Sequence, residues 1–60
     1  MKAIGMTFDE MLKNWVKTVQ YMDPSICETL HNVGYDTNAE FLEAYLIAHE
    51  AKYGEEFVVN

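Results

Sequence analysis

Apolar residues recur at helical spacing through two long stretches of this 60-residue chain. In the first stretch they fall at i, i+3, i+4 and i+7, which predicts one amphipathic helix. Its apolar positions are Phe8, Met11, Leu12, Trp15, Val16, Val19 and Met22. Thr7 and Glu10 have the spacing of a capping box at its start. Asp23 and Pro24 follow the last apolar position, so the pattern predicts that this helix ends before them.

The second long stretch runs from Thr37 to Gly54 and carries start and stop signals at its two ends. Thr37 and Glu40 again form the T-x-x-E pattern of a capping box, and glycine at position 54 is typical of a helix C-terminus. One broad arc of this helix is apolar and consists of Phe41, Leu42, Tyr45, Leu46, Ala48, His49 and Tyr53. The chain is therefore predicted to be organised around this helix.

A shorter helix is predicted between the two, from Pro24 to Asn32, with Gly34 as its stop. Its apolar side is formed by Ile26, Cys27, Leu30 and Val33. The three apolar faces predict three helices around one core. The centre of that core is predicted at Trp15, Phe41, Leu42, Tyr45 and Leu46.

The two ends of the chain are β-prone. The C-terminal segment, residues 57–60, reads Phe-Val-Val-Asn, and residues 2–6 form a short segment at the other end. We predict that these segments pair as a short two-stranded β ribbon, which would need the helices behind it for stability. The predicted fold is therefore mainly α, a compact three-helix single domain over residues 1–60 with this terminal ribbon.

The charge of the chain is concentrated in its second half. Three lysines balance three carboxylates in residues 1–23, so the whole net charge of −6 falls in residues 24–60. Arginine, the residue best suited to phosphate and guanine contacts, is absent from the sequence. We therefore expect no direct nucleic-acid binding, and a basic protein surface is the better-matched partner.

Compartment and cofactor signals are few. Cys27 is the only cysteine, which fits a reducing compartment, and no apolar run is long enough to span a bilayer. A cytoplasmic location without membrane contact is therefore expected. Cys27 and His31 share a helix face and could join His49 in a zinc or thiol site, but a fourth ligand is missing. His49-Glu50 begins like a zincin motif, yet Tyr53 stands where the second histidine is required. The prediction is a non-enzyme without metal or cofactor.

The acidic side of the long helix is the strongest candidate for a functional surface. Glu40, Glu43 and Glu50 project from one side, with Ile47 among them. An exposed aliphatic side chain ringed by carboxylates is suited to anchor a protein contact. We therefore predict partner binding by Glu40, Glu43, Ile47 and Glu50. The patch is predicted to extend over Glu28, Glu55 and Glu56.

In size and acidity the chain resembles many phage- and plasmid-encoded inhibitors, including anti-CRISPR and anti-restriction proteins that imitate the charge of nucleic acid. The resemblance implies a non-enzymatic inhibitor from a mobile element, with the acidic face on a basic surface such as that of a nucleic-acid-binding enzyme. Two alternatives stay open. One is a homodimeric structural or accessory subunit, favoured by the broad apolar arc. The other is a transcriptional regulator with helix-turn-helix-like helices.

Overall fold

A computed structural model describes residues 5–60 and shows that this part of the chain is mainly helical. Its helices are α1 (Phe8–Lys13), α2 (Trp15–Tyr21), α3 (Pro24–Val33) and α4 (Asn38–Tyr53). The prediction of a mainly α fold is confirmed. None of the helices described here is long and apolar enough to cross a membrane.

The prediction of a single first helix is wrong, because the chain breaks at Asn14. Asn14 leaves the helical region, with φ −115° and ψ 54°, and separates α1 from α2. Across the break, the buried hydroxyl of Thr18 donates to the carbonyl of Met11 at 2.8 Å and lies 3.0 Å from that of Asn14. Residues 5–60 therefore form four helices, and the Thr18 hydroxyl replaces part of the interrupted backbone hydrogen bonding.

The break also changes which side of α2 faces the core. Thr18 is fully buried, while Val16 is 74% exposed and Val19 is exposed as well. Trp15 stays partly buried, with its ring edge-on to Phe41 at a centroid distance of 5.9 Å. The apolar stripe predicted for the first helix is thus confirmed in α1 and wrong at two valines of α2.

The ends of α3 and α4 follow the capping signals in the sequence. Thr37 accepts a hydrogen bond from the amide of Glu40 at 3.1 Å, although the Glu40 carboxylate bonds the Thr37 hydroxyl rather than its amide. Gly34 and Gly54 end α3 and α4 in the left-handed region, with φ of 81° and 72°. Helix α3 begins at Pro24 as predicted and ends one residue later than predicted.

Helix α4 is the centre of the molecule and packs against both α1 and α3. Of the predicted core centre, Phe41, Leu42 and Tyr45 are buried, whereas Trp15 and Leu46 are partly buried against the core. The other buried apolar side chains are Met11, Met22, Ile26, Leu30, Phe57 and Val59. The two C-terminal members of this set show that the end of the chain belongs to the core.

The C-terminal segment lies across the helices without forming a strand within residues 5–60. The amide of Met6 donates to the carbonyl of Val59 at 2.8 Å, and the hydroxyl of Tyr21 donates to that of Asn60 at 3.2 Å. The two terminal segments are therefore adjacent, as expected. The predicted β ribbon is not confirmed, and its residues 2–4 lie outside the described residues.

Candidate functional site

The predicted contact residues share one exposed side of α4. Glu40, Glu43, Ile47 and Glu50 are all exposed. At 100° per residue these positions fall within an arc of about 80°. The buried positions of the same helix, among them Phe41 and Tyr45, centre on the opposite side. The structure therefore brings the four residues together and turns them away from the core, as predicted.

Two shallow grooves meet at Ile47. The first, of about 280 Å³, is lined by Tyr35, Glu40, Glu43, Ala44 and Ile47. The second, of about 430 Å³, is lined by Leu46, Ile47, Glu50, Gly54, Glu55 and Glu56. Ile47 is 70% exposed and is common to both. We call the surface formed by these two grooves the acidic face.

Five glutamates give this face its charge. They are Glu40, Glu43, Glu50, Glu55 and Glu56, and all five are exposed. Within residues 5–60 none of them forms an ion pair. Glu28 lines neither groove, so its predicted place in the patch finds no support in the geometry. The face therefore presents several unneutralised charges to whatever approaches it.

The one lysine in the acidic half of the chain is held elsewhere. Lys52 donates to the Asp23 carboxylate at 2.7 Å and to the Ser25 hydroxyl at 2.9 Å. Tyr53 also donates to the Asp23 carboxylate, and Tyr45 accepts from the Asp23 amide at 2.7 Å. This cluster joins the end of α4 to the start of α3, and it leaves the charge of the acidic face intact.

The same cluster shifts the pKa values of its members in opposite directions. Hydrogen bonds from Lys52 and Tyr53, followed by those from Ser25, hold the pKa of the Asp23 carboxyl far below its usual range. The bond to the negatively charged Asp23 raises the pKa of Lys52 and that of Tyr53. Each partner therefore stays in its bonded protonation state across the neutral pH range.

The side chains considered for zinc or thiol chemistry do not form a catalytic arrangement. Cys27 and His31 line a small cleft of about 100 Å³ beside Trp15 and Phe41. Burial raises the pKa of the Cys27 thiol, which makes it a poor nucleophile. His49 lies elsewhere, with Nδ1 3.1 Å from the carbonyl of Glu55. Within residues 5–60, no three His, Cys, Asp or Glu side chains are grouped to hold a metal ion.

Comparison with known protein families adds a finding that is independent of this geometry. A family model described as anti-CRISPR protein AcrIC5 matches residues 2–57. The chain belongs to this family. No curated protein and no solved structure matches it. Members of an anti-CRISPR family are inhibitors from phage and other mobile elements, so the predictions of an inhibitor and a non-enzyme are confirmed.

Membership of the AcrIC5 family also restricts the class of protein that this chain binds. An anti-CRISPR protein acts by binding a protein component of a CRISPR–Cas system. Of the inhibitor classes that the chain resembles in size and acidity, the anti-CRISPR class is therefore the one supported. The family match does not identify the residues that contact this component.

Sequence reasoning did not find one feature of this face. Tyr35 lines the first groove, although the sequence places it in a short connection between helices. Its ring lies edge-on to Phe41 at a centroid distance of 6.3 Å, which positions it beside α4. The signal that could have indicated this contact is the position of an aromatic residue two residues before Thr37, the N-cap of α4.

Proposed function

We propose that this AcrIC5-family protein inhibits a CRISPR–Cas system by covering a basic, nucleic-acid-binding surface of one of its proteins with the acidic face. The observation that carries the proposal is the cluster of five glutamates around Ile47, none of which forms an ion pair with another residue of the described segment 5–60. Opposite charges across an interface accelerate association and select the partner. An enzyme surface that binds nucleic acid supplies the matching positive charge.

The length of the face is compatible with imitation of nucleic acid. Glu40 and Glu50 are ten residues apart, which corresponds to about 15 Å along the helix axis. On one DNA strand that length holds about four phosphates, at about 3.4 Å each. Three carboxylates of α4 fall within that length, against about four phosphates, and Glu55 and Glu56 in the following turn add two more to the face. The face therefore competes for the same cationic side chains as a short nucleic-acid segment.

The test compares two double variants that remove the same charge. Glu43→Gln with Glu50→Gln neutralises the acidic face, and Asp9→Asn with Glu28→Gln neutralises two exposed carboxylates elsewhere. We expect the first pair to weaken binding to the purified CRISPR–Cas target by about 5- to 30-fold, since two contacts of about 0.5–1 kcal/mol each are lost. The control pair should bind within about threefold of wild type.

The readouts separate the surface from the total charge. Binding is measured by calorimetry across a series of salt concentrations, and circular dichroism checks that both variants keep the helical spectrum. Loss of Glu43 and Glu50 should flatten the salt dependence, while the control pair should leave it steep. Equal losses in both pairs would assign the effect to net charge alone. Unchanged binding of the first pair would refute the acidic face.

Homodimer formation stays a prediction. The prediction rests on the broad apolar arc of α4. Three residues of that arc, Phe41, Leu42 and Tyr45, are buried within the chain itself and are therefore not free to contact a second copy. The helix-turn-helix reading of α3 and α4 has no support beyond their order, since the N-terminal turns of α4 carry Glu40 and Glu43. Cytoplasmic location, inferred from cysteine usage, is likewise still a prediction.

A further inference from the structure

The acidic face carries an apolar strip as well as charge. Tyr35, Ala44 and Ile47 line the first groove together, and Ile47 continues into the second beside Leu46. Single exposed aliphatic residues are common on protein surfaces and need no explanation. Here several adjacent apolar side chains lie between two groups of carboxylates. A surface that only imitated phosphate charge would not need this strip.

The core of the protein supports two side chains of this strip, Tyr35 and Ile47. The Tyr35 ring packs edge-on against the buried Phe41 ring and remains 37% exposed. Ile47 lies on a helix whose opposite side is the core, so its backbone is fixed. Because packing already restricts the Tyr35 ring and the helix already fixes the Ile47 backbone, little conformational entropy is lost when a partner covers them. Tyrosine is among the residue types enriched at interface hot spots, where anchoring side chains fill well-packed pockets.

We infer that the target surface contains an apolar recess between its basic side chains, and that Ile47, supported by Tyr35, enters this recess. The inference depends on the proposed function, because it assigns the apolar part of the same contact. The glutamates steer the encounter and orient the two proteins, as charged interface groups do. Ile47 then distinguishes the true target from other basic surfaces, which attract the same charges but lack the recess.

The two parts of the contact respond differently to salt. Screening weakens attraction between exposed charges as ionic strength rises. Burial of an aliphatic side chain is not weakened by such screening. Removing the apolar part should therefore lower the affinity by the same factor at every salt concentration. Removing carboxylates should instead change the slope of affinity against salt.

The experiment uses Ile47→Ser, the conservative Ile47→Leu, and Val16→Ser as a matched control. Val16 is 74% exposed and Ile47 is 70% exposed, and both lie on helices, so the two serine variants make comparable changes. Each is titrated against the purified CRISPR–Cas target over a range of salt concentrations. Heparin, a polyanion that competes for basic surfaces, measures how much of the binding is due to charge alone.

We expect Ile47→Ser to weaken target binding by about tenfold or more at each salt concentration with an unchanged salt slope, which corresponds to burial of one isoleucine side chain. Ile47→Leu should retain most of the affinity, and Val16→Ser should match wild type. Heparin should displace Ile47→Ser from the target more readily than it displaces wild type.

The outcomes distinguish this inference from the proposed function. If Ile47→Ser binds like wild type while the glutamate variants lose affinity, the acidic face stands and the apolar recess is refuted. If neither set of variants loses affinity, both proposals fail. If Val16→Ser alone loses affinity, the contact lies on α2 and the inference is overturned.

Discussion

The amide of Asp23 donates a 2.7 Å hydrogen bond to the hydroxyl of Tyr45, a side chain with no exposed surface. Asp23 is the N-cap that precedes α3 and Tyr45 lies in the middle of α4, so the bond fixes the junction before α3 to the core. The Asp23 carboxylate extends the same attachment to Lys52 and Tyr53 at the end of α4. The cluster therefore joins the middle and the end of α4, the helix that carries most of the acidic face, to the start of α3.

Removal of the Tyr45 hydroxyl should destabilise the fold. Tyr45→Phe leaves the Asp23 amide without its acceptor, at an expected cost of about 1–2 kcal/mol. In a domain of this size each kcal/mol lowers the melting temperature by roughly 4–8 °C. The control is Tyr21→Phe, whose hydroxyl donates to Asn60 at 3.2 Å from an exposed side chain and should cost less than about 0.5 kcal/mol. Equal melting temperatures for the two variants would contradict the assigned role of Tyr45.

The Asp23 carboxylate should make the fold acid-sensitive. Its pKa is lowered in the folded protein, so its stabilising effect is complete above the ordinary value of 3.8 and is lost as the pH falls toward the folded-state pKa. Urea midpoints of wild type and Asp23→Asn, measured from pH 7 down to pH 2, should differ most at neutral pH and converge in acid. A constant difference across that range would show that the carboxylate charge contributes nothing.

The partners of Asp23 should make the fold sensitive to alkaline pH, in the opposite direction from the Asp23 carboxylate. The pKa values of Tyr53 and Lys52 are raised above 10.0 and 10.5, so their stabilising effect is complete below those values and is lost as the pH rises through the folded-state values. Wild type should therefore lose stability above about pH 10. Tyr53→Phe should begin less stable and lose less over the same interval. A steeper alkaline loss in Tyr53→Phe than in wild type would contradict this assignment.

The parts of the fold that were predictable from sequence are those set by neighbours in the chain. Thr37 and Gly54 mark the two ends of α4, and they could be recognised because capping depends on residues a few positions away. The spacing of Glu40, Glu43 and Ile47 was enough to place them on one side of that helix. Tyr35 and the turn after Gly54 lie on the same side of α4 as these residues. This arrangement was not predictable, because it depends on how separate segments of the chain pack.

The break at Asn14 shows the limit of periodicity. The apolar spacing continues through it without interruption, and a helix would satisfy every local rule. What decides the outcome is the side chain of Thr18, which bonds a carbonyl seven residues earlier. The Asp23–Lys52 pair, 29 residues apart, was likewise beyond any short-range pattern. Neither contact could be inferred from the spacing of neighbouring residues.

Thr18 should therefore be sensitive to the loss of its hydroxyl rather than to a change of shape. Thr18→Val keeps the volume and removes the donor to the carbonyls of Met11 and Asn14, which should cost about 1–3 kcal/mol. Thr18→Ser keeps the donor and removes one methyl group, so it should retain the hydrogen bond and cost about 1 kcal/mol. Chemical denaturation of the two variants gives the comparison. If Thr18→Val proved the more stable of the two, packing rather than the hydrogen bond would explain why Thr18 is buried.

The contact between the two terminal segments depends on the absence of a side chain at Gly5. A Cβ atom there would lie 2.2 Å from Cγ1 of Val58 and 3.3 Å from the carbonyl oxygen of Val59. Valine has restricted side-chain rotation, and the Val59 carbonyl is already bonded to the Met6 amide at 2.8 Å. Gly5→Ala should therefore force the segments apart and cost about 1–3 kcal/mol, as overpacking does.

A double-mutant cycle tests this directly. Val58→Ala removes Cγ1, and its exposed side chain should contribute little stability by itself. In that background Gly5→Ala should become nearly neutral or stabilise by up to about 1 kcal/mol, since alanine reduces the conformational freedom of the unfolded chain. The coupling between the two sites should then exceed about 0.5 kcal/mol. If the effects of the two substitutions were additive, position 5 and the Val58 side chain would not be in contact. The close approach of the two terminal segments would then be refuted.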